Sequence, residues 1–239
     1  MPLTFDLLYN IRDLGGWPAG DGRCTRFGVL YRSDSLGRLA GADLDRFRAL
    51  GVRTVIDLRY PWEIAAAGRV PDDDIAFHNL SIEHRPYDQS VVPADVDPAA
   101  FFAEKYAEVA DDGAEEIRAV VRLIADGAEL PVVFHCKSGK DRTGIIAAIV
   151  LTLVGVDRED VVTDYDRSNE ATARWHAEHV AAGDTLPEWP GFGTAPAGAI
   201  RRFLELLDER YGGPQRYLGL TDAEVVALRS RLLEPSGER

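Results

Sequence analysis

The sequence predicts an α/β fold in which helices flank a central, mostly parallel sheet and the C-terminal half is helical. Short runs rich in β-branched residues alternate with helical patterns up to about residue 136, and only helical patterns follow. Of the 239 residues, 46% are hydrophobic and 28% are charged, which is typical of a soluble globular protein. This length suits one large α/β unit, so we expect residues 1–239 to form a single domain.

Four segments predict strands, at residues 29–32, 52–59, 76–82 and 131–136. The second and fourth are strongly apolar, and strands that are buried on both faces have such continuous apolar runs. We therefore expect these two strands inside the sheet. A loop rich in Pro and Asp, at residues 86–98, follows the third strand.

Helical patterns fill the rest of the chain. They cover residues 99–110, 114–126, 142–154 and 170–182, with one more starting at 157, one ending at 211 and one running from 221 to about 234. Gly155 suits a helix C-terminus, and Thr221 with Glu224 forms a capping box at the start of the last helix. These patterns predict an all-helical chain after the fourth strand.

Charge and cysteine content restrict the partners and the compartment. A net charge of −13 disfavours binding to nucleic acid or to an anionic membrane surface. The longest apolar run, residues 145–156, is too short to cross a bilayer, so we expect no stable membrane insertion. Two cysteines and the absence of a signal-peptide pattern predict a cytoplasmic protein, with secretion without a signal peptide left open.

The strongest functional signal lies between the fourth strand and the next helix. Its residues are, in order, His135, Cys136, Lys137, Ser138, Gly139, Lys140, Asp141, Arg142, Thr143 and Gly144. The five residues between Cys136 and Arg142 can wrap backbone N–H groups around an anion, and Gly139 permits the backbone angles that this needs. The helix dipole points at the same place, and the guanidinium of Arg142 can hold two phosphate oxygens. The pattern predicts a phosphate-binding loop.

Cys136 is the candidate nucleophile of this loop. A thiol beside a helix N-terminus and a guanidinium group is expected to ionise near neutral pH, and a thiolate needs no separate base. Thr143 could donate its hydroxyl to the sulfur and ease its departure, and His135 is expected to orient the loop from behind. We expect hydrolysis of a phosphate monoester through a cysteinyl phosphate, without a metal or an organic cofactor.

The loop resembles the signature of the cysteine-based protein tyrosine phosphatases, which is His-Cys, five residues, then Arg followed by Ser or Thr. Residues 10–16, the Arg32-Ser33 pair and the segment 57–59 (Asp-Leu-Arg) are also similar to motifs of the bacterial tyrosine/lipid phosphatases, a family that includes a secreted mycobacterial enzyme. The resemblance spans nearly the whole chain. It implies a tyrosine phosphatase-like fold and a helical lid, for which residues 157–182 are the candidate.

The leaving oxygen needs a proton, and a carboxylic acid should supply it. The resemblance implies that Asp141 is this acid, and the alternative role of Asp141 is to cap the helix. Asp57, at the end of a central strand, is the competitor. The alternative role of Asp57 is to pair with Arg59 or Arg12 and shape the floor of the site.

The sequence is compatible with several phosphate esters as the substrate. The family resemblance implies protein tyrosine phosphatase activity. Lys137 and Lys140 make the loop more cationic than a phosphotyrosine needs, which favours a phosphoinositide, unless one lysine pairs with Asp141. Sugar and nucleoside phosphates are further alternatives for the same mechanism.

Other classes of function are less consistent with the motif. A phosphate-binding module without activity, or a sulfurtransferase, would not need the intact set of Cys136, Arg142 and Thr143. Oxidation could join Cys24 to Cys136 in a protective disulfide, although the sequence gives no sign that the two thiols are close.

Overall fold

The computed structural model describes residues 3–237, so both ends of the predicted domain 1–239 lie outside the described residues. Eight strands occur in residues 3–237, and they are β1 (Arg12–Asp13), β2 (Pro18–Ala19), β3 (Arg23–Thr25), β4 (Leu30–Ser33), β5 (Thr54–Asp57), β6 (Ala76–Asn79), β7 (Val132–His135) and β8 (Leu233–Pro235). The number of domains stays a prediction.

Five strands form a sheet in the order β1-β4-β7-β5-β6. The neighbouring pairs among β4, β7, β5 and β6 are parallel, whereas β1 is antiparallel to β4. The four predicted strands are present, each within a few residues of its predicted bounds. The mostly parallel sheet is confirmed, and β5 and β7 lie inside it, as their apolar sequences predict.

The same residues contain ten α-helices, which are α1 (Gly41–Ala49), α2 (Pro61–Ala67), α3 (Pro98–Asp112), α4 (Ala114–Arg122), α5 (Asp141–Val154), α6 (Arg158–Asp166), α7 (Ser168–Ala181), α8 (Ala197–Tyr211), α9 (Pro214–Tyr217) and α10 (Asp222–Leu232). A π-helical turn, Leu123–Gly127, continues α4. The capping box at the start of α10 is present, since the Thr221 hydroxyl accepts a hydrogen bond from the Glu224 N–H. The sequence did not predict α1, α2 or α9, which are short.

Side chains alternate between the two faces of the sheet. Val132 and Phe134 of β7 belong to a large core that also contains the apolar face of α5, while Val133 packs in a smaller core with Phe47 of α1. Successive residues of a strand point to opposite faces, so one strand supplies both cores. Helices therefore cover both faces of the sheet, which parallel strands require.

One part of the predicted topology is wrong. The chain is not all-helical after residue 136, because β8 follows α10 directly and pairs antiparallel with β3, which in turn pairs with β2. Leu233 lies opposite Thr25 in this small sheet and is buried. Two or three residues are too few to display the alternation that identifies a strand, and the partner lies at the other end of the sequence.

The candidate lid consists of α6 and α7. Helix α6 packs against α5 and α8, and Val161, Val162, Asp164 and Tyr165 are buried. Helix α7 buries only Ser168 and Ala171. The lid at residues 157–182 stays a prediction. No helix in residues 3–237 has the length and apolar character needed to cross a membrane.

Candidate active site

The predicted loop lies where β7 ends and α5 begins, at the carboxyl edge of the parallel strands. His135 ends β7, and its register partners are Ser33 at the end of β4 and Asp57 at the end of β5. The carboxyl ends of three neighbouring strands therefore meet beside Cys136. This edge is where ligands bind in open α/β sheets.

The carbonyl groups of residues 137–139 are held outward by three donors from the N-terminal part of the chain. In the order of the carbonyls, the donors are the Ser35 N–H at 3.1 Å, Asn10 Nδ2 at 3.0 Å and Arg32 Nη2 at 2.7 Å. A trans peptide directs its N–H opposite to its C=O. The following N–H groups are therefore directed to the inner side of the loop, which is the arrangement of an anion-binding nest.

Gly139 is required at its position. Its φ is +69°, and a Cβ there would lie 2.6 Å from the Ser33 carbonyl oxygen and 2.7 Å from the Asp34 nitrogen. Both contacts are with backbone atoms that cannot rotate away. Any side chain at this position would push the loop off β4.

Cys136 and Thr143 lie at the base of the loop. Cys136 is 1% exposed, and Thr143 is fully buried in the first turn of α5. The Thr143 hydroxyl makes no hydrogen bond to any of the described residues. Thr143 therefore has a free buried donor beside the loop, and its donation to the departing Cys136 sulfur stays a prediction.

Arg142 lies between two carboxyl groups that the sequence analysis did not single out. Its Nη1 and Nη2 donate to the two oxygens of Glu63, at 2.6 and 3.1 Å, and its Nε lies 3.4 Å from Oε2 of Glu83. The guanidinium carbon is also 5.3 Å from the centre of the Tyr60 ring. Burial favours the neutral form of Arg142, but the bond to Glu63 and the negative charges of Cys136 and Glu83 outweigh it and raise its pKa.

The two carboxyl groups on Arg142 differ in their ionisation. Burial would raise the pKa of Glu63, yet its hydrogen bond to Arg142 lowers it below the usual value. Burial raises the pKa of Glu83 to about 7; the Arg142 charge opposes this rise, while the Asp141 and Glu63 charges add to it. Glu63 is therefore a permanent anion at neutral pH, and Glu83 titrates there.

Asp141 is the first residue of α5 and does not cap it, since Lys140 occupies the N-cap position. The Tyr106 hydroxyl donates to Oδ1 of Asp141 at 2.7 Å and lies 2.5 Å from the Tyr165 hydroxyl. Burial raises the pKa of both tyrosines well above the usual value, and the Asp141 charge adds to this effect. Two neutral phenols from α3 and α6 thus orient the carboxyl group at the mouth of the loop.

The two loop lysines have different environments. Lys137 is exposed, as is Ser138, whereas Lys140 is buried. Nζ of Lys140 donates to the Thr194 carbonyl at 2.6 Å, lies 3.1 Å from Oδ1 of Asp141 and stands 4.0 Å from the Phe102 ring centre. Lys140 thus pairs with Asp141, which is the alternative that the sequence left open for one of the lysines. A role of either lysine in binding the substrate stays a prediction.

Asp57 pairs with Arg59, which is the alternative role that the sequence predicted for it. It is fully buried, and both of its oxygens accept hydrogen bonds from Arg59, at 2.6 to 3.2 Å. Burial would raise the pKa of Asp57, but Arg59 and His135 lower it below the usual value. His135 Nε2 lies 3.4 Å from Asp57, and its Nδ1 is 3.1 Å from the Cys136 carbonyl oxygen. His135 is therefore buried between Asp57 and the start of the loop, and its role in orienting the loop stays a prediction.

Arg12 does not pair with Asp57. Its Nε donates to Asp164 at 2.9 Å, and it also contacts Asn10, the side chain that holds the Ser138 carbonyl. Arg32, which holds the Gly139 carbonyl, donates to the other oxygen of Asp164 at 2.6 Å. Asp164 of α6 thus joins the two arginines that support the loop, and the role of Arg12 is indirect.

The sequence predicted no contact with the loop for Asn10, Glu63, Glu83, Tyr106 or Asp164, although Asn10 belongs to the family-like motif at residues 10–16. One signal was available for Glu63, because Pro61 and Glu63 stand at the first and third positions of a helix, where Pro and Glu are favoured. The other contacts join residues far apart in the sequence, and no local pattern indicates them. Residues 3–237 contain no cluster of three or more His, Cys, Asp or Glu suited to a metal ion, and the absence of a cofactor stays a prediction.

The chain is similar in sequence to known tyrosine phosphatases. A family model described as the tyrosine phosphatase family matches residues 3–234. A Cupriavidus necator protein, provisionally named a tyrosine-protein phosphatase, is 30% identical over 254 residues, which covers 97% of this chain and 88% of its own. The tyrosine-protein phosphatase of Nostoc commune is 31% identical over 221 residues, covering 85% of this chain and 74% of its own. The triple specificity protein phosphatase PtpB of Mycobacterium tuberculosis is 31% identical over 275 residues, covering 94% and 96%.

Proposed function

The chain belongs to the tyrosine phosphatase family, and from this premise we propose that it hydrolyses phosphotyrosine through a cysteinyl phosphate formed at Cys136. The observation that carries the proposal is the loop itself. Three carbonyls held outward direct successive N–H groups inward, at the start of α5 and beside the guanidinium of Arg142. Such a cradle is complementary to the equatorial oxygens of a phosphoryl group in transfer.

In the first step the Cys136 sulfur attacks phosphorus in line with the ester bond. The phosphorus–sulfur bond forms as the bond to the leaving oxygen breaks, and Asp141 gives that oxygen its proton. Arg142 and the loop amides stabilise the charge on the three remaining oxygens. Tyr106 supports this role of Asp141 because its hydroxyl fixes one carboxyl oxygen and leaves the other available.

In the second step water attacks the phosphorus of the cysteinyl phosphate. Asp141, now ionised, accepts a proton from this water, and the phosphorus–sulfur bond breaks to release inorganic phosphate and the thiolate. The free hydroxyl of buried Thr143 supports a role as donor to the departing sulfur. Asp57 is a poorer candidate for the acid, because both of its oxygens accept bonds from Arg59.

Aromatic side chains beside Arg142 support an aromatic ester as the substrate. Tyr60 lies next to the Arg142 guanidinium, and its ring stacks on that of Trp62 with centroids 5.4 Å apart. Trp62 is 61% exposed, which is unusual for so large an apolar side chain. A phosphotyrosine ring next to this pair would gain stacking contacts that an aliphatic phosphate cannot make.

A phosphoinositide substrate has less support from the structure than from the sequence alone. It relied on two cationic side chains in the loop, and Lys140 is buried and already paired. Lys137 is the lysine that remains available. Sugar and nucleoside phosphates stay alternatives for the same chemistry.

Hydrolysis of a phosphotyrosine peptide, an inositol phosphate and a sugar phosphate by the purified protein tests the proposal. We expect the highest kcat/KM with the peptide, inhibition by vanadate and full activity in EDTA. The Cys136→Ser variant should lose turnover and retain binding of the peptide. A phosphorylated cysteine trapped by rapid acid quench would demonstrate the intermediate. Equal activity in Cys136→Ser would contradict the nucleophile, and a preference for the inositol phosphate would contradict the substrate.

A further inference from the structure

Glu83 occupies the part of Arg142 that a bound phosphate would need. A guanidinium group has two edges on which it can hold an anion with two parallel hydrogen bonds, one made by Nη1 and Nη2 and one made by Nε and a terminal nitrogen. Glu63 takes the first edge through both of its oxygens. The second edge is therefore the one left for a phosphate, and Oε2 of Glu83 lies 3.4 Å from its Nε.

From this arrangement, which presupposes the proposed function, we propose that ionised Glu83 competes with the phosphate for Arg142 and takes up a proton from solvent when the phosphate binds. Glu83 is a positioning residue in this scheme, because it acts through the guanidinium. Its carboxylate lies at the Nε edge of Arg142 in the free enzyme. Protonation removes a negative charge next to the entering dianion and frees the Nε edge.

The charges around Glu83 fit a carboxyl group with this role. Glu83 is buried, and the titratable groups next to it are Tyr60 and Glu63 at the start of α2 and Asp141 and Arg142 at the start of α5. On its outer side it lines a crevice with His84, Arg85, Tyr87, Lys105, Glu108 and Asp112. A second anion beside Glu63 and Asp141 is costly in a buried site. This agrees with the pKa of about 7, which burial sets together with these neighbours.

The affinity of the Cys136→Ser variant for an anion tests the role of Glu83. This variant cannot turn over substrate, and it has no thiol whose ionisation would add to the pH dependence. Tungstate is a suitable probe, since it is a tetrahedral dianion whose charge is constant from about pH 6 to pH 8. With Glu83 present, we expect the affinity for tungstate to fall about tenfold from about pH 6 to pH 8. The reason is that only the form with protonated Glu83 binds well, and the protonated fraction of a group with a pKa of about 7 falls about tenfold over this range. With Glu83→Gln added, the affinity should be the same at both pH values and about tenfold higher at pH 8.

Calorimetry in buffers with different ionisation enthalpies gives a second readout, which is the number of protons taken up on binding. Binding at pH 8 should take up close to one proton in Cys136→Ser and none when Glu83→Gln is added. Glu108→Gln, a change in the same crevice at a residue that pairs with Lys105, is the matched control and should leave proton uptake unchanged.

The outcomes distinguish the two proposals. Failure of Cys136→Ser to bind tungstate at any pH would contradict the proposed function. Binding without proton uptake, or with the same pH dependence after Glu83→Gln, would overturn the inference about Glu83. Weaker binding in Glu83→Gln would also overturn it, because it would show that the carboxylate assists the anion.

Discussion

The carboxylate of Glu63 holds both terminal nitrogens of Arg142, with hydrogen bonds of 2.6 Å to Nη1 and 3.1 Å to Nη2. Glu63 stands in the first turn of α2, and its Oε2 also accepts the backbone N–H of Tyr60 at 2.9 Å. The orientation of the guanidinium over the loop thus depends on a helix that the sequence did not predict.

Glu63→Gln should lower kcat/KM for a phosphotyrosine peptide by about 10- to 100-fold. Hydrogen bonds to charged groups contribute about 1.5–3 kcal/mol, and each 1.4 kcal/mol corresponds to about tenfold in rate. Steady-state kinetics measures the effect. Glu104→Gln on the exposed side of α3 is the control, and equal losses in the two variants would show that Glu63 has no specific role.

Asp141→Asn should reduce kcat most for esters with poor leaving groups. Positioned acids contribute about 10²–10⁴-fold, so we expect a loss of about 100-fold or more with phenyl phosphate. The loss with p-nitrophenyl phosphate should be far smaller, since nitrophenolate departs without a proton. Parallel kinetics on both esters tests this, and losses of the same size would mean that the acid is another residue.

Asp57→Asn should act mainly on stability. Asp57 and Arg59 are both buried, and removal of one partner from a buried ion pair costs about 3–5 kcal/mol. We expect the free energy of unfolding, measured in urea, to fall by about that amount. Asp95→Asn is the comparison, because the Asp95 side chain is exposed and its replacement should change the free energy of unfolding far less. A stable Asp57→Asn variant whose kcat falls selectively for esters with poor leaving groups would reassign the acid to Asp57.

Trp62→Ala should raise KM for a phosphotyrosine peptide by about 2- to 10-fold, because an aromatic pair contributes about 0.5–1.5 kcal/mol. KM for glycerol phosphate, which has no ring to stack, should not change. Trp62→Phe should restore most of the affinity for the peptide. The same increase in KM for both substrates would show that Trp62 supports α2 and does not contact the substrate ring.

Asp164 should make stability depend on pH in the acid range. Burial would raise the pKa of Asp164, but Arg12 and Arg32 lower it from 3.8 to about 2. Because the folded-state pKa is below the unfolded value, the stabilisation is present above about pH 4 and is lost as the pH falls toward 2. The shift corresponds to about 2 kcal/mol.

Urea unfolding of the wild type and of Asp164→Asn at several pH values measures this linkage. The wild type should be more stable at pH 7, and the difference should narrow steadily between pH 4 and pH 2. A difference that stays constant over this range would show that Asp164 does not stabilise the fold through its charge.

The strands that could be predicted from the sequence are those whose burial produces a pattern in consecutive residues. The apolar runs at 52–59 and 131–136 identified the interior strands β5 and β7, because burial on both faces of a strand requires such runs. β8 was missed because its pairing with β3 joins the two ends of the chain. A strand of three residues is too short to show the alternation of apolar and polar residues that identifies a strand.

For the site, the sequence by itself determined which residues form the loop between β7 and α5. Spacing places Cys136, Arg142 and Thr143 around one loop, since a strand, a turn with Gly139 and a helix start permit few other arrangements. The tertiary structure decided which charges act on that loop. It buried Lys140 against Asp141 and brought Glu63 and Glu83 to Arg142. The physical reason is that side chains meet through the packing of separate elements, and the interaction of two charges depends on their distance and burial, which sequence order does not specify.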